Sequence, residues 1–121
     1  TGRKALGVTN LTADISTMTA VANDVGIDHV FLRQLICLGR KNDVLIGFST
    51  SGNSANLIQA FSQAKEMGLY TIGFSGQTGG EMAKCGSVDL CLTVETGSIH
   101  RVQESHLTTY HILWDLVHSI L

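Results

Sequence analysis

The residues of this chain best suited to chemistry are four hydroxyl side chains that follow a short apolar run. The run, Val44 to Phe48, is typical of a parallel strand that is buried on both faces. A helix is predicted to begin directly after the hydroxyls, at Asn53 or Ser54. The four hydroxyls belong to Ser49, Thr50, Ser51 and Ser54. The first N–H groups of a helix have no helical acceptor and carry the positive end of its dipole, so this segment predicts a phosphate site.

A polar turn with a helix N-cap is the simpler interpretation of the same residues, because serine, asparagine and glycine suit turns anywhere. A cap needs one or two hydroxyls, whereas this segment has four within six residues. The anion site is therefore the favoured interpretation. The segment is not a P-loop, because the Gly-Lys-Ser/Thr ending is absent, and this weighs against ATP or GTP.

A second group of polar residues lies in the helix predicted from Ile99 to Leu121. Gln103 and His111 are eight residues apart, which is about 12 Å along a helix axis, so two long side chains could just share one ion. Glu104 and His111 lie more nearly on one line of the helix and remain a rival pair. Burial beside neighbouring aromatic residues is expected to keep His111 neutral, able to bind a metal or to move a proton.

The other histidines and one aspartate are given structural interpretations. His106 and His118 are expected to be surface or hydrogen-bonded helix residues, and His29 is expected to face solvent. His100 could tune a site, although an exposed position in the first helical turn is favoured. Asp14 could bind sugar hydroxyls at the carboxyl edge of a parallel sheet, but a helix N-cap role is favoured.

These residues must be positioned by strands and helices that alternate along the chain. Strands are predicted at Lys4–Leu11, Val44–Ser49, Leu69–Phe74 and Val88–Val94. Helices are predicted from a cap at Thr12 or Asp14 to Gly26, from an Asp28 cap to Gly39, at Asn53–Gly68, around Glu81–Lys84 and at Ile99–Leu121. The order predicts an α/β fold with a parallel sheet. The apolar side of the last helix is expected to close a core or a dimer.

Length and composition limit the class of protein. The 121 residues predict one domain, small for a complete doubly wound enzyme, and the net charge of −2 gives no reason to expect nucleic acid. Three cysteines without a CxxC pair indicate reduced thiols in a cytoplasmic protein. Neither a signal peptide nor an apolar stretch of about 18 residues is present, so no membrane association is expected. The chain lacks an initiator Met, and an N-terminal portion is expected to be missing.

Three motifs in a fixed order give the chain a family resemblance. TADISTMTAVANDVG, STSGNSANLIQAFSQAKEMG and RVQESHLTTYH resemble the SIS (sugar isomerase) domain, and within it the sedoheptulose 7-phosphate isomerases, or phosphoheptose isomerases. The resemblance covers residues 1–121, read as the larger C-terminal part of the domain. It implies a flavodoxin-like, three-layer parallel sheet and a homotetramer. It also implies conversion of D-sedoheptulose 7-phosphate to D-glycero-D-manno-heptose 7-phosphate in bacterial heptose synthesis for lipopolysaccharide or other surface glycans.

The resemblance implies a role for particular residues as well. The hydroxyls that match the phosphate-binding set are those of Ser49, Thr50, Ser51 and Ser54. Ala13 and Asp14 match a pair that contacts the sugar. Gln103 matches a residue that touches both substrate and zinc, which favours it over Glu104. His111 matches a zinc ligand that also acts as catalytic acid or base.

The zinc site implied by the resemblance holds one ion per active site. Its remaining ligands, a His and a Glu on a helix after a Gly-Gly-Ser turn, are expected in the missing N-terminal segment together with the other catalytic group. Two other classes stay open. A non-catalytic SIS protein, either a sugar-phosphate sensor or a protein that associates with a replication initiator, would keep the hydroxyl segment. An isomerase of aminosugar or pentose phosphates would also keep it, although the RVQESH helix speaks against that class.

Overall fold

A computed structural model describes residues 2–121 of the chain. The helices are α1 (Ile15–Asp24), α2 (Val30–Leu38), α3 (Ala55–Glu66), α4 (Gly80–Lys84) and α5 (Ile99–Ile120), and a 3-10 turn spans Ile27–His29. The strands are β1 (Val44–Phe48), β2 (Tyr70–Gly76) and β3 (Leu90–Val94). The strands form a parallel sheet in the order β1-β2-β3, and α3 and α4 connect them. The predicted α/β fold with a parallel sheet is therefore confirmed.

The register of the sheet brings the ends of the three strands to one edge. Phe48 at the end of β1 pairs with Phe74 in β2, and Gly76 at the end of β2 pairs with Val94 at the end of β3. The loops that follow the strands therefore leave the sheet side by side. This edge is the one at which parallel α/β folds bind ligands.

One face of the sheet is covered by helices and carries the core. The buried cluster is formed by Leu35 on α2, Ala60 and Ala64 on α3, and Leu69 before β2, and Leu45 of β1 packs against it. The helical spacing predicted for α3 is confirmed by this packing. The helix ends before Gly68, whose φ of 79° is in the left-handed region that glycine adopts easily.

The starts of the first two helices differ in how well the sequence predicted them. The Asp14 cap is confirmed, because its Oδ1 accepts a hydrogen bond of 3.0 Å from the backbone N–H of Thr17. The Asp28 cap is wrong. Asp28 lies inside the 3-10 turn, where the N–H of His29 bonds to the carbonyl of Gly26, and α2 begins after His29 without a side-chain cap.

The second face of the sheet corrects the expectation that β1 is buried on both sides. Val44, Ile46 and Phe48 point to this face and are 54%, 38% and 45% exposed. In residues 2–121 the helix that packs on this face is α5, and it covers the carboxyl end of the strands. A continuous apolar run predicts a strand, but it does not say which element covers each face.

The strand predicted at Lys4–Leu11 is not formed. Residues 2–10 have no regular secondary structure and are exposed. The segment runs beside the free edge of β1, and residues 7–12 and 42–48 line a common groove of about 910 Å³. A strand needs a hydrogen-bonded neighbour. The contact that holds the segment here is instead a bond of 2.9 Å from Gln34 Nε2 to the carbonyl of Leu11.

Helix α5 closes the core with its first half. Its Val102 and His106 are buried against the sheet, whereas Tyr110 and Trp114, farther along the same helix, are about half exposed. The expected closing role is therefore confirmed for the first turns. No helix in the described part of the chain is long and apolar enough to span a membrane.

Candidate functional site

The hydroxyl loop, residues 49–54, begins with a buried serine at the end of β1. The backbone N–H of Ser49 donates to the carbonyl of Phe74 at 2.9 Å, which ties the loop to β2. The Oγ of Ser49 lies 2.9 Å from the Oγ of Ser54, and it also accepts a bond of 3.1 Å from the N–H of Gly52. The loop is thus folded so that two of its hydroxyls meet in front of α3.

The N-terminus of α3 has no side-chain cap. Ser54 occupies the N-cap position, but its hydroxyl is engaged with Ser49 instead of an amide of the helix. The amides of Leu57 and Ile58 bond to the backbone carbonyl of Ser54. The positive end of the helix dipole therefore faces the hydroxyls without a capping oxygen, which suits an anion.

The loop after β2 and the start of α4 support the hydroxyl loop. The carbonyl of Gly52 accepts a bond of 2.9 Å from the N–H of Met82, and the Oδ1 of Asn53 accepts one of 2.9 Å from the N–H of Glu81. A side chain at Gly52 would place its Cβ 2.0 Å from the carbonyl oxygen of Gly79. The two loops are therefore in direct backbone contact.

A cavity of about 420 Å³ opens between the hydroxyl loop and α5. Its lining residues come from three elements: Phe48, Ser49, Thr50, Gln103, His106, Leu107 and Tyr110. The structure thus brings Gln103 together with Ser49 and Thr50. Glu104 is directed elsewhere, since it is exposed and pairs with Arg101.

His106 lines the cavity, although the sequence interpretation favours a structural role for it. It is 6% exposed, and its Nε2 lies 2.8 Å from the carbonyl oxygen of Ser75. The expectation of a surface histidine is wrong for this residue, although the alternative, a hydrogen-bonded one, is confirmed. Its spacing of three residues from Gln103 puts both on one side of a helix, and that spacing was the available signal.

His111 lies outside this cavity. Its side chain is exposed and lines a separate hollow with Tyr110, Trp114 and Asp115. The expected burial of His111 is therefore wrong, because this part of α5 extends past the sheet. Arg3 contacts this region, because its guanidinium lies 4.2 Å from the centre of the Trp114 ring and 3.6 Å from a carboxylate oxygen of Asp115.

Ala13 and Asp14 are exposed at the start of α1. Both carboxylate oxygens of Asp14 are occupied by Thr17, through its N–H at 3.0 Å and its hydroxyl at 2.7 Å. The backbone N–H of Thr17, aided by this hydroxyl, lowers the pKa of Asp14. Neither Ala13 nor Asp14 lines the cavity, but the preceding Thr12 shares the larger groove with Ser54.

The donors named for a zinc ion do not form a complete site in residues 2–121. No group of three His, Cys, Asp or Glu side chains in this part of the chain is arranged to hold a metal. Gln103 and His111 line different hollows and are separated by about 12 Å of helix rise. A tetrahedral zinc site needs four ligands close together. The described residues therefore do not fit zinc by themselves.

The remaining expectations concern residues away from the cavity. The ring of His118 bonds to the carbonyl of Trp114 at 3.0 Å, as predicted for a helix histidine. His29 does not simply face solvent, since its Nδ1 is enclosed and has no partner among residues 2–121. The cysteines described by the structure are unbridged, in agreement with reduced thiols.

Comparison with known proteins gives a consistent result. Residues 2–76 match the SIS domain family. A phosphoheptose isomerase of Helicobacter pylori (strain Shi470) is 45% identical over 115 residues, which cover 95% of this chain and 59% of the relative. A phosphoheptose isomerase of Burkholderia pseudomallei (strain 1710b) is 46% identical over 119 residues, covering 98% and 59%.

Solved structures agree with these relatives. The phosphoheptose isomerase GmhA of Neisseria gonorrhoeae has a TM-score of 0.87 and 43% identity, covering 90% of this chain and 61% of that chain. A phosphoheptose isomerase of Francisella tularensis has a TM-score of 0.85 and 32% identity. The chain spans about three fifths of the length of the curated relatives it matches.

Proposed function

The chain belongs to the SIS domain family, and from that premise we propose that the protein is an isomerase of D-sedoheptulose 7-phosphate. Its product would be D-glycero-D-manno-heptose 7-phosphate. One observation carries the proposal: the hydroxyl loop at the uncapped start of α3 shares a cavity with Gln103. A phosphate group needs an anion site such as the hydroxyl loop, and a polyhydroxyl chain needs a side chain such as Gln103 that donates and accepts hydrogen bonds. A sugar phosphate needs both next to each other. The names of the relatives favour this activity over a non-catalytic sugar-phosphate protein.

The phosphate would be bound by the hydroxyl loop, residues 49–54. In the free loop the hydroxyls of Ser49 and Ser54 bond to each other, and both can turn to a bound anion. Thr50 and Ser51 lie in the same loop and are partly exposed, so they can add further hydroxyls. The amides at the start of α3 and its dipole would favour the dianion. These residues anchor one end of the substrate and move no proton.

The sugar chain would extend from the phosphate along α5. Gln103 lines the same cavity as Ser49 and Thr50, and its amide can both donate to and accept from sugar hydroxyls. We assign Ala13 and Asp14 to the sugar as well, on the basis of the family motif. Thr12 supports this assignment, because it lines the groove that also contains Ser54.

The isomerisation moves one proton between C1 and C2 of the sugar through an enediol, while the hydroxyl proton moves between O1 and O2. An acid or base has to carry these protons. We propose His111 for one of these transfers. The exposed side chain of His111 leaves its ring nitrogens open to a ligand, and histidine is the side chain that most often acts as a general acid or base. A partner group from outside residues 2–121 would complete the pair.

A zinc ion is part of this proposal through the family motif, with Gln103 and His111 as two of its ligands. Because the described residues alone do not form the site, the other ligands would come from outside them. Bound there, the ion would stabilise the negative oxygen of the enediol.

We also propose that the protein is located in the cytoplasm. Its pathway would be the synthesis of heptose for lipopolysaccharide or another bacterial surface glycan.

A homo-oligomer, a tetramer by family resemblance, belongs to the same proposal. The second half of α5 has an exposed apolar stripe, in which Ile112, Leu116 and Ile120 are more than half exposed. An apolar stripe on a helix normally packs against another element or another chain. A second copy of this chain is the partner we propose for it.

The test is an assay of the full-length protein with sedoheptulose 7-phosphate, with and without a chelator, followed by re-addition of zinc. We expect isomerisation that the chelator abolishes and zinc restores. His111→Ala should lose turnover while retaining inorganic phosphate binding, and His118→Ala on the same helix serves as its control. Phosphate-sugar binding without turnover would favour the non-catalytic alternative. Wild-type turnover by His111→Ala would contradict the assignment of the proton transfer.

A further inference from the structure

We infer that His106 is a positioning residue of this site, which holds α5, and with it Gln103, in a fixed place relative to the hydroxyl loop. The inference rests on the proposed function, because it takes the cavity between the hydroxyl loop and α5 as the place where the substrate binds. No proton transfer or ligand contact is assigned to His106. Its role is to hold α5 beside the hydroxyl loop, since residues of these two elements would contact the substrate.

The joining contact is one buried hydrogen bond. The Nε2 of His106 lies 2.8 Å from the carbonyl oxygen of Ser75, a residue of β2 that is fully buried. A carbonyl oxygen only accepts, so Nε2 carries the hydrogen and donates it. The partner is therefore the backbone of the sheet, and the bond cannot move by rotation of a second side chain.

Two aromatic rings hold the imidazole in the orientation that this bond requires. The ring centre of His106 lies 5.7 Å from that of Phe74 and 6.0 Å from that of Phe48. Phe48 and Phe74 stack on each other at 4.7 Å, at the end of β1 and two residues before the end of β2. The histidine is thus packed against the two strands whose ends precede the two loops of the site.

The placement of Gln103 depends on few contacts. Of the residues of α5, all of which the structure describes, Val102 and His106 are the buried ones, and Gln103 lies between them. A Cβ on Gly76 would lie 2.6 Å from Val102 and 2.5 Å from the carbonyl oxygen of Thr50. The helix, the end of β2 and the hydroxyl loop therefore meet at one point.

The two buried contacts restrain the helix differently. The packing of Val102 is apolar and has no preferred direction. The hydrogen bond of His106 is directional, and it fixes the rotation and height of α5 on the sheet. Without that bond Gln103 is free to shift, and a displacement of about 1 Å in a substrate-positioning group can cost on the order of a hundredfold in rate.

The test compares two substitutions of the same residue in the full-length protein. His106→Phe retains the aromatic contacts but removes the donor, and it leaves the carbonyl of Ser75 without its partner. His106→Gln restores an amide donor near the position of Nε2. His118→Phe is the matched control, because the ring of His118 bonds within its own helix, to Trp114.

We expect His106→Phe to lower kcat/KM for sedoheptulose 7-phosphate by about tenfold to a hundredfold, mostly in kcat. His106→Gln should recover most of the loss, and His118→Phe should match the wild type. The Kd for inorganic phosphate should stay within about twofold in all variants, because the hydroxyl loop is held by separate bonds to Glu81 and Met82. Wild-type kinetics in His106→Phe would overturn the inference. Equal losses in both His106 variants that follow their melting temperatures would also overturn it.

Hydrogen exchange separates this inference from the proposed activity. With inorganic phosphate bound, the amides of residues 99–106 should exchange faster in His106→Phe than in the wild type or in His106→Gln. If the wild-type protein lacks isomerase activity, the proposed function is wrong, and the exchange comparison still decides whether His106 positions α5. Equal exchange in all three proteins would show that it does not.

Discussion

At the scale of single residues, the hydroxyls of Ser49 and Ser54 set the state of the loop before a ligand binds. Each hydroxyl has one hydrogen to donate, and one of them is used in the contact of 2.9 Å between the two oxygens. A phosphate has only acceptors when fully ionised, so both hydroxyls must turn towards it. The contact between the serines is therefore exchanged for two bonds to the anion, each assisted by its charge.

The first prediction follows from that exchange. Ser54→Ala removes one donor to the anion, and we expect the Kd for inorganic phosphate to rise by about tenfold or more, as for loss of a bond to a charged group. Isothermal titration calorimetry measures the change. Ser62→Ala, an exposed serine on the same helix α3, is the control and should leave the Kd unchanged. Equal affinity of Ser54→Ala and the wild type would exclude Ser54 from the phosphate site.

The second prediction separates the two roles of Asp14. The backbone N–H of Thr17 is the main cause that lowers the pKa of Asp14. The charged carboxylate therefore stabilises α1 at pH values above the ordinary aspartate pKa. This contribution is lost as the pH falls through the lowered pKa. Asp14→Ala should lower the melting temperature at neutral pH, and Asp14→Asn should recover most of it, since asparagine also caps helices well.

The kinetic constants of the same two variants test the sugar contact. If Asp14 only caps α1, KM for the sugar phosphate will follow stability and Asp14→Asn will resemble the wild type. A KM raised in both variants, despite the restored melting temperature of Asp14→Asn, would support the contact with the sugar.

At the scale of elements, the hydroxyl loop depends on the start of α4. Gly80 has a φ of 57°, and a Cβ there would lie 2.4 Å from the carbonyl oxygen of Ser51 and 2.5 Å from the Oδ1 of Asn53. This is closer than real Cβ atoms approach. Backbone conformation and contact with the hydroxyl loop therefore both require glycine at this position.

The third prediction uses Gly86 as a matched control for Gly80. Gly86 has a φ of 72° with no atom within 4 Å of an added Cβ, so Gly86→Ala meets only the left-handed strain, about 1–2 kcal/mol. Gly80→Ala meets the same strain and displaces the hydroxyl loop. We expect both to lower the free energy of unfolding, and only Gly80→Ala to weaken phosphate binding as well. Equal phosphate affinity in the two variants would argue against the support role.

The fourth prediction concerns the opposite end of β2. The side chain of Lys65 is the main cause that lowers the pKa of Asp89, whose Oδ2 also accepts bonds from the N–H of Thr71 at 2.9 Å and from its hydroxyl at 3.0 Å. Because its pKa is lowered in the folded protein, the charged Asp89 stabilises the fold at pH values above the ordinary aspartate pKa. This stabilisation is lost as the pH falls through the lowered pKa. Lys65→Met should reduce the melting temperature at neutral pH, and the difference from the wild type should shrink below about pH 4. Lys84→Met is the control, and a difference independent of pH would contradict this account.

The sequence predicts those parts of the fold that depend on local patterns. The α3 stripe, its stop at Gly68, the Asp14 cap and the hydroxyl loop each depend on residues close together in the chain, and the structure has all four. The wrong predictions concern features that depend on residues far apart in the chain. Residues 4–11 have strand composition but no paired neighbour in the described part of the chain, and pairing is a long-range event.

The candidate site also depends on contacts between residues that are far apart in the chain. The approach of Gln103 to Ser49 and the bond of His106 to Ser75 join residues that are 54 and 31 positions apart. Spacing within α5 could narrow the choice of residues on one side of the helix, but it could not show which of them meets the hydroxyl loop. The expected burial of His111 is wrong for a related reason, because apolar neighbours in the sequence do not determine which element packs over them.

At the scale of the whole molecule, residues 2–121 present two apolar surfaces. One is the uncovered part of the sheet, with Val44, Ile46, Tyr70 and Leu90 exposed, and the other is the second half of α5. Contiguous apolar surfaces of this kind are usually covered by another polypeptide. The order of residues 112–120 gives the α5 surface an apolar stripe that repeats every four residues, which is the pattern of a helix packed against a partner.

The last prediction tests a second copy as that partner. Ile112 and Leu116 are 53% and 54% exposed and lie one turn apart on α5. Ile112→Glu with Leu116→Glu places two charges on the stripe, and burying unpaired charges in a contact between copies is strongly unfavourable. We expect the full-length protein to sediment as a smaller species than the wild type in analytical ultracentrifugation. Thr108→Glu, which adds one charge to an exposed polar position of the same helix, should leave the sedimentation coefficient unchanged. A doubly substituted protein that kept the wild-type mass would show that α5 does not join the copies through this stripe, and the uncovered face of the sheet would then be the surface to test.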